Sequence, residues 1–385
     1  MNVPKADPRH ELVRPLWAEV DLRAIGDNVG LLRAKAGRPV KLIVPVKANA
    51  YGHGMVEVSR HLERLGVDGL ATANVDDALA ARRAGVSLPI LIYGAQLPAG
   101  NALLLEHRLT PTIYSAEGLA AVAALAGGAG GPVAVHVKVD AGLGRLGVRL
   151  DEAAAFVRAV LAEPGLQLEG LYTHIPYDRP AGAAWSRRRM DAFCELVRAV
   201  EAEHAITIPF SQVAASSVLT GGFPDTLNTI SPGHLTYGLS PVDGMAAADM
   251  GFRPALKAVR ARLIHIGRRR AGDDLAGTGP GGLAEDATVG VIVFGMDNGY
   301  RPATAGATAA VLCHGRRCPV LAVSAEYSVI DLSHVPESNV GDTVTVVGMD
   351  GGETITAEAV AADLGAPSAA YWLVGLKSVP LRYTV

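Results

Sequence analysis

Cysteine is scarce in this sequence, and neither sign of charge is in excess. The 385 residues contain three cysteines, Cys194, Cys313 and Cys318. They are too few to form a disulfide scaffold in a chain of this length. The 35 lysines and arginines nearly balance the 38 aspartates and glutamates. The composition therefore predicts no basic surface for nucleic acid and no polybasic strip for a membrane surface.

A long apolar run is also missing. Residues 1–17 mix proline with charged residues and contain no apolar signal segment. The uncharged stretch 118–135 is rich in alanine and is broken by several glycines and Pro132, which is typical of a helix and loop and not of a membrane span. We therefore expect a cytoplasmic protein. Hydrophobic residues make up 49% of the chain, which is enough for a large core.

Short apolar runs alternate with helical patterns through the first two thirds of the chain. The runs predict eight strands, at Trp17–Asp21, Lys41–Val46, Gly69–Ala73, Ile90–Tyr93, Thr110–Tyr114, Val133–Val139, Glu169–Thr173 and Ser211–Ala215. Eight such alternations favour a parallel (β/α)8 barrel, although a doubly wound open sheet fits the same pattern. Beyond about residue 250, short β segments follow one another. We expect a barrel at 1–250 and a mainly-β domain at 251–385, with residues 1–16 as a candidate addition to the latter.

The most informative segment ends an apolar run with Lys47. A polar loop with Tyr51, His53 and two glycines follows. The carboxyl ends of the strands form the active-site face of such a barrel. A partly desolvated lysine there has a lowered pKa and can form a Schiff base. On spacing alone, an ammonium group that simply reaches solvent is the better interpretation.

A second segment follows the predicted strand at 133–139. It carries a GxGxxG spacing at Gly142, Gly144 and Gly147, but Arg145 interrupts it and it lies mid-chain, which disfavours a dinucleotide site. Lys138 and Asp140 share one face of that strand. They fit a polar active-site layer or a partly solvated edge strand equally well.

Weaker candidates lie at other predicted strand ends. His174 follows an apolar run, although a lone histidine is more often structural. Ser216 and Ser217, and the segment from Ser231 to His234, offer hydroxyl and amide groups suited to a phosphate, or form ordinary turns. Cys313, His314 and Cys318 match no zinc spacing, so no metal site is expected.

Together these segments resemble the alanine racemase family of pyridoxal-phosphate (PLP) enzymes over nearly the whole chain. Residues 46–54 (VKANAYGHG) are similar to the PLP-lysine signature of that family. The resemblance implies a (β/α)8 barrel followed by a β domain. It also implies a dimer in which the β domain of one subunit completes the barrel site of the other.

The resemblance implies roles for individual residues. Lys47 would hold PLP and act as a base on one face of the substrate Cα, and Arg145 would approach the phenolic oxygen of PLP. Lys138 matches a lysine that some members carry carbamylated. The expected phosphate contacts are Tyr51, Ser217, Gly233, His234 and Tyr371.

The sequence departs from the family at three places. The catalytic tyrosine of the family pattern Gly-Tyr-Ala-Asp-Gly-Tyr is replaced by Met296, whose thioether cannot exchange protons. The family's Met-Asp-Gln is replaced by Ala325, Glu326 and Tyr327. The family arginine that bonds the pyridine nitrogen is replaced by Ser231.

These departures predict a PLP-dependent racemase or epimerase with a non-standard second base. The candidates for that base are Glu326, Tyr327 and His174. A retro-aldolase or transaldolase acting on a β-hydroxy amino acid, with His174 as its base, is an alternative, as are a decarboxylase and a non-catalytic PLP carrier. In each case the expected partners are a small amino acid and a second copy of the chain.

Overall fold

The structure, a computed structural model, describes residues 14–94, 97–128, 131–223, 225–242, 244–275, 282–304 and 306–385. The chain divides into two compact units. We call Ala24–Arg253 the barrel unit. The described residues up to Arg23, together with Pro254–Val385, form the β unit.

The described residues form 18 strands. They are β1 (Leu16–Asp21), β2 (Lys41–Pro45), β3 (Gly69–Thr72), β4 (Ile90–Ile92), β5 (Thr110–Ile113), β6 (Val133–Asp140), β7 (Val148–Arg149), β8 (Leu166–Tyr172), β9 (Phe210–Ala215), β10 (Thr229–Ser231), β11 (Leu256–Arg269), β12 (Ala287–Ile292), β13 (Ala310–Cys313), β14 (Arg316–Val323), β15 (Ser328–Asp331), β16 (Thr343–Asp350), β17 (Glu353–Ile355) and β18 (Leu381–Thr384).

Right-handed α-helices alternate with the strands of the barrel unit and recur near the end of the chain. They are α1 (Leu22–Ala36), α2 (Met55–Arg64), α3 (Val75–Arg83), α4 (Asn101–Glu106), α5 (Ala116–Ala126), α6 (Ala153–Leu161), α7 (Ala183–His204), α8 (Ser216–Thr220), α9 (Ala357–Asp363) and α10 (Ala369–Leu373).

Local sequence explains where such helices begin and end, and α3 shows this clearly. The Asn74 side chain accepts a hydrogen bond from the backbone N–H of Asp76 at 2.9 Å, which caps the helix. Asp76 and Asp77 lie in the first turn, and Arg82 and Arg83 lie in the last. Charges in these positions complement the helix dipole.

Eight strands of the barrel unit close into a parallel ring. The order is β5-β4-β3-β2-β10-β9-β8-β6, and β5 pairs with β6 to complete it. Each neighbouring pair is parallel. Inside the ring Ile43, Ala71, Leu91 and Tyr172 form a buried cluster, against which Phe210 packs. The prediction of a (β/α)8 barrel is confirmed, and the open sheet is excluded.

Two strands differ from the sequence prediction. Trp17–Asp21, predicted as a barrel strand, corresponds to β1 and pairs with β11 and β18 in the β unit. The missing barrel strand is β10 (Thr229–Ser231), between β9 and β2. Its sequence is Thr-Ile-Ser, which contains one apolar residue and so offers no apolar run, unlike the equally short Ile-Leu-Ile of β4.

The β unit is built on a sheet of mainly antiparallel strands. Its order is β17-β16-β13-β14-β15-β12-β11-β1-β18, with an additional pairing of β16 to β11. Strand β1 is parallel to β18 and antiparallel to β11. The short helices α9 and α10 accompany the sheet. The predicted mainly-β character of this part of the chain is confirmed.

Candidate active site

Lys47 begins a left-handed turn directly after β2. Ala48, Asn49, Ala50 and Tyr51 all have positive φ angles, between 52° and 55°. An L-residue in this conformation costs roughly 1–2 kcal/mol. Four in succession mean that the surrounding structure imposes the conformation on the turn.

Contacts within the same unit hold this turn in place. The Asn49 side-chain oxygen accepts from the backbone N–H of Met55 at 2.8 Å. The His53 ring contacts the carbonyl of Ala50 through Nδ1 at 3.0 Å and stacks on Tyr237, with ring centroids 4.9 Å apart. Burial lowers the pKa of His53 to about 4, so the ring is neutral and its Nδ1–H donates to that carbonyl. The sequence predicted neither the Asn49 contact nor the packing of His53.

Three cationic side chains, those of Lys47, Lys138 and Arg145, lie near one another at the turn. Burial, together with the charge of Arg145, lowers the pKa of Lys47. Burial, with the charges of Arg145 and Lys47, lowers the pKa of Lys138 to about 8. Only Asp140 acts on Lys138 in the opposite direction. A cluster of this kind attracts an anionic ligand and keeps a larger share of each amine neutral.

The Asp140 carboxylate forms hydrogen bonds with the backbone of the loop that follows it. Its carboxylate accepts from the backbone N–H groups of Gly142 and Leu143 at 2.8 Å and of Gly144 at 2.9 Å. Gly147, with a φ of +137°, passes so close to the Asp140 backbone that a Cβ would lie 2.4 Å from its nitrogen. The backbone of this glycine-rich loop, which carries Arg145, is therefore held on Asp140.

His174 follows β8 and keeps an accessible face. The protein around its ring still desolvates it, and the charges of Lys47, Lys138 and Arg145 act in the same direction, so its pKa falls to about 4. The pKa of His234 is also lowered to about 4, by burial and by Lys47. Both imidazoles are neutral at pH 7 and can accept a proton or a hydrogen bond.

The candidate phosphate contacts of the barrel unit follow three of its strands, with Tyr51 after β2, Ser217 after β9, and Gly233 and His234 after β10. The Tyr51 and His234 rings meet edge to face, with centroids 4.9 Å apart. A Cβ on Gly233 would lie 2.4 Å from the Tyr51 hydroxyl, so only glycine leaves room for that phenol. The Ser216 hydroxyl accepts from the backbone N–H of Leu235 at 3.1 Å. The Ser217 hydroxyl donates to the carbonyl of Ile175 over 3.4 Å.

Ser231 lies at the end of β10, beside the strand that leads to Lys47. Its hydroxyl is 2.7 Å from the hydroxyl of Tyr93. Sequence reasoning singled out Ser231 but missed Tyr93. The only available signal was the position of Tyr93 directly after β4.

The remaining candidates lie in the β unit. Met296 and Tyr327 have 50% and 44% of their surface exposed, and Tyr371 on α10 has 66% exposed. The backbone N–H of Met296 donates to the backbone carbonyl of Ser324 at 3.0 Å. This bond joins Met296 to the turn that carries Glu326 and Tyr327. The exposed residues Met296, Glu326 and Tyr327 are therefore neighbours in this unit.

Comparison with known proteins agrees with this architecture. The family model described as alanine racemase, N-terminal domain, matches residues 20–241, and that of the C-terminal domain matches residues 257–381. The chain belongs to the alanine racemase family. An alanine racemase from Desulfovibrio desulfuricans is 33% identical over 354 residues, which is 91% of this chain and 93% of the relative.

Solved structures give the same result. The biosynthetic alanine racemase of Pseudomonas aeruginosa superposes with a TM-score of 0.81 at 30% identity, covering 97% of this chain and all of that one. An alanine racemase from Clostridium difficile 630 gives a TM-score of 0.87 at 25% identity, covering 96% and 95%. The resemblance to the alanine racemase family predicted from residues 46–54 is confirmed.

Two further features bear on the site. None of the helices in the described part of the chain combines the length and apolar character needed to cross a membrane. Among the described residues, no group of three or more His, Cys, Asp and Glu side chains is arranged to hold a metal ion.

Proposed function

We propose that this chain is a PLP-dependent enzyme that acts at the Cα of an amino acid, as a racemase or epimerase with a non-standard second base. The observation that carries the proposal is Lys47. It is an amine of lowered pKa, at the carboxyl end of a barrel strand and among other cations, in a chain of the alanine racemase family. Met296, where that family has its catalytic tyrosine, supports the non-standard base.

The residues of the barrel unit suit the cofactor. The cluster formed by Lys47, Lys138 and Arg145 matches an anionic ligand, and the absence of a side chain at Gly233 lets the Tyr51 hydroxyl lie against the segment that follows β10. We expect Lys47 to attach the aldehyde, Arg145 to approach the phenolic oxygen, and Tyr51, Ser217, Gly233, His234 and Tyr371 to contact the phosphate. Bound PLP would supply an electron sink for negative charge at Cα.

Lys47 would move the proton on one face of Cα. Its Nζ takes a proton more readily when the neighbouring positive charge of Arg145 is offset by the bound anion, and it holds that proton within a desolvated cleft. Because burial lowers the pKa of this amine, it suits the role of a base better than an exposed lysine does.

A second group must act on the opposite face. Met296 cannot do so, because a thioether carries no exchangeable proton. Glu326 and Tyr327 are exposed beside Met296 in the β unit, and His174 is neutral in the barrel cleft. We propose that one of these three replaces the tyrosine.

A second candidate function rests on His174. A neutral imidazole in the cleft can accept the proton of a β-hydroxyl group, which a retro-aldol or transaldol reaction requires. No comparable observation favours a decarboxylase or a PLP carrier, so these alternatives enter as outcomes of the test.

The test uses the protein loaded with PLP. Borohydride reduction should fix the cofactor to the peptide that contains Lys47, and Lys47→Ala should lose the visible absorption band. Fixation at another lysine would refute the assignment. A panel of amino acids in D2O then separates the activities. Deuterium at Cα with inversion indicates a racemase, aldehyde release an aldolase, carbon dioxide release a decarboxylase, and no reaction a carrier.

We further propose a cytoplasmic homodimer with shared active sites. If the β unit of one subunit completes the partner's barrel, mixing Lys47→Ala and Glu326→Gln chains should restore part of the activity that each variant lacks alone. Activity that never exceeds the sum of the two variants would contradict sharing, or a role for Glu326.

A further inference from the structure

A pair of hydroxyl groups lies where β10 ends. The oxygens of Ser231 and Tyr93 are 2.7 Å apart, and the Ser231 side chain is buried. Burial raises the pKa of Tyr93 to about 12, so its phenol keeps its proton at neutral pH. The pair is therefore uncharged. If Tyr93 donates within it, the hydroxyl hydrogen of Ser231 remains free for another acceptor.

A small cavity adjoins this pair inside the barrel. It offers about 10 Å³ of room for the centre of a water-sized molecule, and Tyr93, His136, Gln212 and Ser231 supply its polar lining. A buried water needs about two to four polar partners, and these residues provide them. Gln212 is buried, and its side chain lines the cavity.

His136 is held firmly on the far side of the cavity. A Cβ on Gly170 would lie 2.2 Å from His136 Nδ1, so the imidazole fills the space that any larger residue would need. Its Nε2 lies 3.4 Å from the carboxylate of Glu169, whose side chain is 24% exposed. Polar groups thus continue from Ser231, across the cavity, to a carboxylate in contact with solvent.

We propose that Ser231 and Tyr93 form a neutral floor of the cofactor site, where Tyr93 donates to Ser231 Oγ and Ser231 donates to the ring nitrogen of PLP. A water in the cavity, bound by His136 and Gln212, donates to the oxygen of Tyr93. The inference rests on the proposed function, because it requires PLP in the barrel. Ser231 and Lys47 lie at the same end of paired strands, so a ring attached to Lys47 can reach Ser231.

The uncharged Ser231–Tyr93 pair determines the protonation state of the ring nitrogen. A carboxylate there would hold a proton on the nitrogen, but the described residues that line the cavity include no acid. A hydroxyl group donates a hydrogen bond without giving up its proton. The nitrogen therefore stays unprotonated, and the ring withdraws less charge from Cα than a protonated ring would.

The experiment loads the enzyme with PLP carrying ¹⁵N at the ring nitrogen and records the nitrogen chemical shift. The wild-type signal should fall in the range of an unprotonated, hydrogen-bonded pyridine. Ser231→Ala should move it toward free pyridine, and Tyr93→Phe should move it the same way by less. Ser231→Ala should also weaken PLP retention about three- to tenfold, the effect of one lost hydrogen bond.

Ser211→Ala is the matched control. Ser211 carries a buried hydroxyl on β9, but it accepts from the backbone of Asn228 at 3.3 Å and does not line the cavity. This variant should leave the nitrogen signal unchanged.

Three results would overturn the inference. They are a protonated nitrogen in the wild type, an unchanged signal in Ser231→Ala, and an equal shift in Ser211→Ala. Mass analysis of the borohydride-reduced protein distinguishes these results from failure of the proposed function. If only the inference about Ser231 fails, PLP is still fixed at Lys47. If the proposed function fails, no cofactor is found at Lys47.

Discussion

Among single residues, Lys138 most clearly opposes folding. Its amine is buried near two other cations, and its pKa is lowered from 10.5 to about 8. Below pH 8 both the folded and the unfolded chain carry the proton, and folding must desolvate the charge. Between pH 8 and 10.5 the unfolded chain binds more protons, so stability rises with pH across this range.

Lys138→Met should therefore stabilise the protein at pH 7, by at most roughly 3 kcal/mol, the free energy that corresponds to the lowered pKa. The gain should shrink as the pH rises toward 10.5. Urea unfolding followed by circular dichroism at several pH values measures it. Lys257→Met, on an exposed position of β11, gives the background. A gain that is the same at pH 7 and 10.5 would show that packing, and not charge, is responsible.

Met296 gives a second prediction for a single residue. Met296→Tyr returns a phenol to the family position, and an added acid–base group contributes about 10²–10⁴ in rate when well placed. We expect alanine racemisation, measured by chiral chromatography, to rise at least about tenfold. Met296→Phe adds the ring without the hydroxyl and should not change the rate. Equal rates in the two variants would mean that another group already acts in place of the tyrosine.

The sequence indicated some candidate site residues and not others. Lys47 and Arg145 could be named because each lies in a short continuous segment that resembles the alanine racemase family. Tyr93 and Gln212 could not be named, because each lies on a different strand and only the closed ring brings them to one cavity. His53 was named only as part of a loop. Its contact with Ala50 depends on the left-handed backbone conformation of the turn, which the residue types do not predict.

The left-handed turn after β2 is the most unusual element. Two alanines, one asparagine and one tyrosine are held there in the left-handed region, and the first of them, Ala48, is exposed. Its side chain therefore adds strain without adding packing.

Ala48→Gly should stabilise the protein by up to about 1 kcal/mol. Glycine removes the roughly 1–2 kcal/mol of left-handed strain, while its freedom in the unfolded chain offsets about 0.5–1 kcal/mol. The opposite sign is expected for Ala120→Gly, an exposed position in α5, which should destabilise by about 0.5–1 kcal/mol. Urea midpoints measure both changes. Destabilisation by both substitutions would mean that the turn is not left-handed in solution.

Element assignment from the sequence was wrong at one strand for an instructive reason. Trp17–Asp21 has the apolar character of a barrel strand, and a helix follows it as barrel topology requires. Nothing in a local pattern reveals that its partners are β11 and β18, far along the chain. Alternation of elements predicts the number of strands well, but it does not predict their partners.

At the scale of the whole molecule, β1 pairs with strands from the last third of the chain. The β unit is therefore assembled from both ends of the described chain. A chain that begins at Leu22 should lose amide protection in β18, which loses the partner it has among the described strands, and in the part of β11 that pairs with β1, as measured by hydrogen exchange. The rest of β11 should stay protected, because it also pairs with β12 and β16. The barrel strands should keep theirs. A synthetic peptide of residues 14–21 should restore the protection. Unchanged protection in the shortened chain would show that β1 contributes little to the sheet.

This arrangement also has a consequence for synthesis on the ribosome. The first partner of β1, β11, is synthesised roughly 240 residues after it, a delay of some ten to fifty seconds at typical translation rates. The barrel segment is complete before that partner exists. The edge of β1 that pairs with β11 therefore stays unpaired while the barrel segment is synthesised.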